Sequence, residues 1–208
     1  DYQALQHFIT HSPWDAQRVW TQLRAVVPIR TGILAIDDTG FPKQGTQSPG
    51  VQRQYCGTLG KIGNCQVAVS SALIADGRTW PLACELYLPT SWTDDPARCA
   101  AAGIPPTVRF REKWRIALAQ IRTVVQAGFT ITGVVVDADY GANAAFRAGL
   151  ERLGLAQIPA MVQSAGHTRQ ASRYPRMRCP LSNVPSDTAS ICCDVIRFTS
   201  SAQRVEKW

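Results

Sequence analysis

The fold is decided by two apolar segments that end in aspartates, GILAIDDTG (residues 32–40) and GVVVDADYG (residues 133–141). Each segment predicts a buried strand that stops at carboxylates and a glycine. Burying a charged carboxylate costs free energy unless it is paired, protonated or bound to a metal. If the two strands are neighbours, carboxylates from distant parts of the chain meet at one edge of a sheet. Such a group is the usual protein contribution to a Mg²⁺ site, completed by water and substrate phosphate.

The composition is that of a globular protein. The 208 residues are 45% hydrophobic and 18% charged, and the formal net charge of +7 mildly favours a polyanionic partner. No apolar run is long enough to cross a membrane and no signal peptide is recognisable, so we expect a cytoplasmic protein without membrane contact. The seven cysteines contain no C-x-x-C pair, which disfavours a zinc site or a disulfide framework. Because the chain begins with Asp1 rather than Met, we expect a fragment.

The order of predicted elements indicates a mixed α/β sheet. A helical lead-in runs to about Arg30, with Ser12 as N-cap and Pro13 at the first helical position. The other predicted elements are strands at 33–39, 66–74 and 80–88, a polar connection at 91–106, a helix at 111–126, a strand at 130–136, a helix at 142–153 and a short strand near 158–162.

The first three strands predict an antiparallel meander, and the strand-helix-strand order that follows predicts parallel pairing. In such a sheet the first strand can lie at the centre beside the strand at 130–136. That placement would bring Asp38 and Asp137 to the same ion.

Six short motifs occur in a defined order. They are SPWD (12–15), IDDTGFPKQG (36–45), QYCGTLG (54–60), NCQ (64–66), LYLP (86–89) and DADYG (137–141). Together they make the chain resemble bacterial insertion-sequence transposases of the DDE class over roughly residues 7 to 158. Each motif is weak alone, but their order is specific.

The resemblance implies a ribonuclease-H-like catalytic core at residues 31–162, with two Mg²⁺ or Mn²⁺ ions, and transposon ends and target DNA as partners. Asp38 matches the family's first carboxylate and Asp137 its second. Asp37 and Asp139 are secondary metal candidates, for which a turn or helix cap is the favoured role. Two metals about 3.5–4 Å apart can activate a water or a 3′-hydroxyl for in-line attack on a phosphodiester and stabilise the departing oxygen.

The segment from Phe41 to Gln66 is rich in glycine and carries three cations. Lys43, Arg53 and Lys61 are our candidates for contacts with DNA phosphates. The alternative is a solvated surface loop, and for Lys43 alone solvation is favoured. For Tyr140, packing beneath the site is favoured over stacking on a base.

The family's third carboxylate, a glutamate on a helix, is not found. Glu206 is the single glutamate after Glu151, and its surroundings do not match the family motif. From Pro159 on, seven basic residues stand against three acidic ones. We expect residues 163–208 to be an irregular basic tail that is not native transposase sequence, for example a shifted reading frame; the rival interpretation is a basic arm that binds DNA.

The sequence therefore predicts a transposase core fragment with an incomplete site that is inactive alone; whether it forms a homodimer is open. One alternative is a phosphatase or phosphotransferase that uses Asp137 and Asp139, which leaves Asp37 and Asp38 unexplained. Another is a non-catalytic remnant that binds DNA with a steep salt dependence.

Overall fold

The computed structural model of this chain describes residues 3, 4, 7 and 15–159. The strands in this part are β1 Thr31–Pro42, β2 Gln52–Cys56, β3 Lys61–Ala75, β4 Arg78–Leu86, β5 Thr130–Val136 and β6 Gln157–Pro159. The helices are α1 Ala16–Val26, α2 Thr90–Thr93, α3 Pro96–Ala101, α4 Lys113–Gln126, α5 Ala138–Ala142 and α6 Ala144–Arg152, and a 3₁₀ turn spans Gly57–Leu59.

The six strands form one mixed sheet, as predicted. β3 pairs antiparallel with β1 along one edge, and along its other edge it pairs antiparallel first with β2 and then with β4. β1 pairs parallel with β5, and β5 pairs parallel with β6. The antiparallel meander and the central place of β1 beside β5 are thereby confirmed.

The hydrophobic core lies between the sheet and helices α4 and α6. Leu34, Ile36, Val134 and Val136 are buried in one cluster with the apolar side of α4 and with Phe146 of α6, because alternate residues of neighbouring strands point to the same face. Helix α4 is also joined to the sheet by the Gln120 side chain, which donates a hydrogen bond to the Val69 carbonyl oxygen at 2.9 Å.

Several element boundaries differ from the prediction. β3 begins five residues before the predicted 66, because its first residues pair with β2, a strand that the glycine-rich composition concealed. The helix predicted at 142–153 is α6, which begins at Ala144 because Asn143 has an extended backbone and accepts a hydrogen bond from the Phe146 N–H as its N-cap; the short helix α5 before it was not predicted. The connection at 91–106 contains α2 and α3.

The lead-in helix begins later than predicted. Within the described residues α1 starts at Ala16, and the Asp15 carboxylate caps it by accepting a hydrogen bond from the Arg18 N–H. Ser12, the predicted cap, lies outside the described residues, as does the tail at 163–208. Arg24 of α1 is buried and donates to the Leu82 carbonyl oxygen, which attaches the helix to β4. No helix in the described part of the chain has the length and apolarity to span a bilayer.

Candidate active site

The site lies where the carboxylates of two neighbouring parallel strands, β1 and β5, come close together. β1 and β5 pair in parallel from Thr31 opposite Thr130 to Ala35 opposite Val135, with a register shift of one residue between Gly32 and Ile33, so both strands reach the same level of the sheet a residue or two later. β5 ends there at Val136, whereas β1 continues to Pro42 along β3. Asp37 and Asp38 lie within β1, at the level of the sheet where Asp137 follows β5.

Asp38 is held by two donors from other elements. The Lys113 ammonium, at the start of α4, lies 2.5 Å from Oδ2 of Asp38, and the Tyr140 hydroxyl of α5 donates to Oδ1 at 2.6 Å. About a quarter of the Asp38 side chain and a third of the Lys113 side chain remain exposed. The Asp38 carboxylate is thus fixed and partly neutralised, yet open to solvent on one side.

Asp37 points to the opposite face of β1. Burial, with smaller contributions from the charges of Asp38 and Asp137, raises the pKa of the Asp37 carboxyl to about 6. Its Oδ1 accepts a hydrogen bond from the Asp38 N–H at 2.8 Å, which acts in the other direction. Ser70 of β3 donates to the Asp37 carbonyl oxygen and so holds the backbone at this point.

Asp137 is the N-cap of α5. Its Oδ1 accepts a hydrogen bond from the Tyr140 N–H at 2.9 Å, the capping role that the sequence favoured for Asp139. Burial raises the pKa of Asp137, and the charges of Asp139 and Asp38 add to the effect. Asp139 lies in the first turn of α5 and is exposed.

The negative charge at this edge is only partly compensated. Lys113 is the one cation paired with these aspartates among the residues that the structure describes. In the same part of the chain, no group of three or more His, Cys, Asp or Glu side chains is arranged to hold a metal ion. The donor chemistry fits a hard cation, but the number of converging ligands is incomplete.

Lys113 is the residue that sequence reasoning missed. It is seventy-five positions from Asp38, and no motif contains it. The one local signal is its position, because a cation in the first turn of a helix opposes the helix dipole and calls for an acidic partner. Tyr140 is 5% exposed and packs beneath the site as predicted, and burial together with the Asp38 charge raises the pKa of its hydroxyl.

Lys43, Arg53 and Lys61 lie on the hairpin side of the sheet. All three are exposed, and none forms an ion pair with another residue of the described chain. Lys43 follows β1 directly, while Arg53 lies on β2 and Lys61 begins β3. The three cations therefore surround one hairpin and do not contact the aspartates.

Several motif residues join this hairpin to β1. The Thr58 hydroxyl donates to the Gly40 carbonyl oxygen at 2.6 Å, and a Cβ at Gly40 would lie 2.7 Å from the Cys56 Sγ, so only glycine fits there. The Asn64 side chain donates to the carbonyl oxygens of Lys43 and Gly45, both at 2.8 Å. These motif residues therefore fix the backbone of the segment that follows Asp38.

Comparison with known proteins identifies the family of this chain. The family model for the DDE superfamily endonuclease matches residues 1–178. The chain belongs to this family. A probable transposase for insertion sequence element IS701 from Microchaete diplosiphon is 35% identical over 164 residues, which is 76% of this chain and 40% of that protein. The chain therefore spans about 40% of the length of this relative, and no solved structure gives a significant match.

The resemblance drawn from the six motifs is confirmed by the DDE family match. The match also runs twenty residues further than the motifs do, to residue 178. The family assignment covers all four aspartates and the hairpin that carries Lys43, Arg53 and Lys61.

Proposed function

We propose that this chain is the larger part of a transposase catalytic core, in which Asp38 and Asp137 bind a divalent cation for cleavage and joining of DNA strands. The DDE family and the IS701-type relative support the reaction class. The sheet order, with three antiparallel strands beside a parallel pair, supports a ribonuclease-H-like fold. DNA, both transposon ends and target, is the proposed partner.

The observation that carries the proposal is the group of partly buried carboxylates at one strand edge. Burial raises the pKa of Asp37 and of Asp137, and the charge of Asp38 adds to the effect at both, so keeping these two carboxylates ionised costs stability. A bound cation would offset this cost, and carboxylate oxygens are ligands that Mg²⁺ and Mn²⁺ prefer. A divalent cation would remove the repulsion that the single ammonium of Lys113 leaves.

Asp38 and Asp137 are the proposed ligands, with Asp37 and Asp139 as neighbours that strengthen the negative field. Mg²⁺ held there would supply Lewis-acid chemistry: it would favour deprotonation of an attacking water or 3′-hydroxyl and stabilise charge on the leaving oxygen. Tyr140 fixes the orientation of the Asp38 carboxylate through its hydroxyl. The exposed side of that carboxylate faces solvent and is open to a phosphodiester.

A two-metal site needs a further carboxylate, which we place outside the described residues or outside this chain. We therefore expect metal binding without efficient strand transfer. A second candidate, a DNA-binding remnant without chemistry, is favoured by one observation: the described residues offer no group of three metal ligands.

Calorimetric titration with Mn²⁺ tests the proposal. We expect weak binding to the full chain and its loss in both Asp38→Asn and Asp137→Asn, since asparagine keeps the hydrogen-bond acceptor but not the charge. Asp76→Asn is the matched control, because Asp76 is an exposed turn residue whose positive φ asparagine also tolerates. Titration curves that are unchanged in both site variants would refute the site assignment.

A further inference from the structure

The outer face of the β2–β3 hairpin exposes two large apolar side chains. Tyr55 is 64% exposed and lies directly opposite Ile62, which is 58% exposed. On the other face of the same hairpin, Cys56 and Cys65 are buried at 0% exposure. An apolar group that remains exposed beside a complete core is typical of a binding surface.

The charges around this face indicate the kind of partner. No Asp or Glu occurs between Asp38 and Asp76, while Lys43, Arg53 and Lys61 are exposed and unpaired within residues 15–159. Arg53 is two residues before Tyr55 on β2, so its side chain leaves the strand on the same face. A second copy of the chain on a two-fold axis would bring these cations against themselves. A polyanion with flat apolar groups fits better.

We propose that Tyr55 and Ile62 form a platform for an unpaired nucleotide base, with Arg53 on the same face binding an adjacent phosphate. The inference rests on the proposed function in one respect, that the chain binds DNA. Aromatic stacking needs an exposed base face, so the platform should select single-stranded or frayed DNA over an intact duplex.

The platform lies apart from the aspartates. Asp38 is opposite Val69 on β3, and Ile62 is seven positions earlier on the same strand. At a rise of about 3.3 Å per residue the separation along the strand is roughly 20–25 Å, and the odd spacing places the two groups on opposite faces of the sheet. The platform therefore holds and positions DNA without touching the reacting phosphate.

Fluorescence anisotropy with a labelled single strand of mixed sequence, and with its duplex, tests the platform in the full chain. We expect Tyr55→Ala to weaken single-strand binding by about tenfold with an unchanged salt slope, because stacking releases no counterions. Tyr55→Phe should bind as the wild type does. Arg53→Gln should reduce the salt slope by about one. Val125→Ala, at another exposed apolar residue on α4, is the control.

A second measurement locates the contact directly. Photocrosslinking with a 5-iodouracil-substituted single strand, followed by mass spectrometry, should place the crosslink on the peptide that contains Tyr55. Mn²⁺ titration of Tyr55→Ala should match that of the wild type, because the platform is distant from Asp38.

Four results would overturn the platform. They are wild-type affinity in Tyr55→Ala, an equal loss on duplex and single strand, crosslinks elsewhere, or a dimer in size-exclusion chromatography that Tyr55→Ala converts to a monomer. The last would make this face a contact between copies. If the wild-type chain bound no DNA at all, the proposed function would fail as well, whereas binding that ignores Tyr55 refutes the platform alone.

Discussion

Two stretches along β3 differ in how their charges are treated: an acidic end beside Val69 and Ser70, in the middle of the strand, and a basic end at the hairpin where the strand begins. At the acidic end, the aspartates of β1 and β5 are half-buried and accept hydrogen bonds from Lys113, Tyr140 and backbone N–H groups, and burial raises the pKa of Asp37 and Asp137. At the other end, the cations of the hairpin are exposed and unpaired within the described chain. The side chains of the acidic end cost folding free energy and have fixed orientations. The side chains of the basic end cost little folding free energy and can change orientation.

The difference fits two tasks. Side chains that hold a small cation must be fixed within fractions of an ångström, so their neighbours lock them. Side chains that attract a long polyanion act at a distance and need no fixed geometry. Substitutions at the acidic end should therefore change folding stability, and those at the basic end should not.

The largest expected effect comes from Lys113→Met. Removing the ammonium leaves the partly buried Asp38 carboxylate without a counter-charge, which should lower the free energy of unfolding by about 2–3 kcal/mol. Added Mg²⁺ should then stabilise the variant more than the wild type, since it supplies the missing charge. Urea unfolding with and without Mg²⁺ measures both effects.

Lys61→Met is the matched control for that variant, because Lys61 is an exposed lysine of the hairpin without an ion pair in the described part of the chain. We expect its unfolding free energy to stay within about 0.5 kcal/mol of the wild type. Equal losses in both lysine variants would remove the contrast between the two ends.

Asp37→Asn should raise the free energy of unfolding instead of lowering it. Because the folded-state pKa of Asp37, about 6, is raised above its ordinary value of 3.8, ionisation favours the unfolded chain, and stability falls as pH rises from about 4 to 6. Asparagine avoids this loss and still accepts the Asp38 N–H hydrogen bond. We expect the variant to be more stable by about 1–2 kcal/mol at pH 7 and equal to the wild type below pH 4.

Denaturant unfolding across this pH range measures the difference. Asp76→Asn, at an exposed turn residue, serves as the comparison. A gap between Asp37→Asn and the wild type that persists below pH 4 would show that the cause is packing rather than charge.

The smallest expected effect concerns the link between the two ends. Thr58→Val removes the hydroxyl that donates to the Gly40 carbonyl oxygen but keeps the side-chain shape, so it should cost about 1 kcal/mol. Hydrogen exchange should show the loss locally, as faster exchange at the hairpin amides with the β5 amides unchanged. Uniform acceleration across the sheet would contradict a local tether.

Local patterns predicted the sheet well because its strands have strong signals. The strand at Thr130–Val136 was predicted to the residue, from a β-branched run bounded by glycine and aspartate. The parallel pairing in this half of the sheet followed from the crossover rule, and the place of β1 beside β5 was the arrangement that a mixed sheet allows. β2 was concealed because its residues are polar and its neighbours are glycines, so pairing with β3 rather than propensity makes it a strand.

The candidate site was predicted less completely. The aspartates follow from their position after apolar strands, and their role as metal ligands stays a prediction. The capping bond of Asp137, the different environments of Asp37 and Asp38, and the contact with Lys113 depend on how distant elements pack. A sequence pattern carries no information about such long-range side-chain contacts.

The most direct measurement of the central claim is a double-mutant cycle in Mn²⁺ affinity between Asp38 and Asp137. If both carboxylates bind the same ion, Asp38→Asn and Asp137→Asn should each abolish measurable affinity, or reduce it strongly, and the double variant should be little worse than either single one. Losses that simply add, or a single variant that binds as the wild type does, would show that the two aspartates do not share a site.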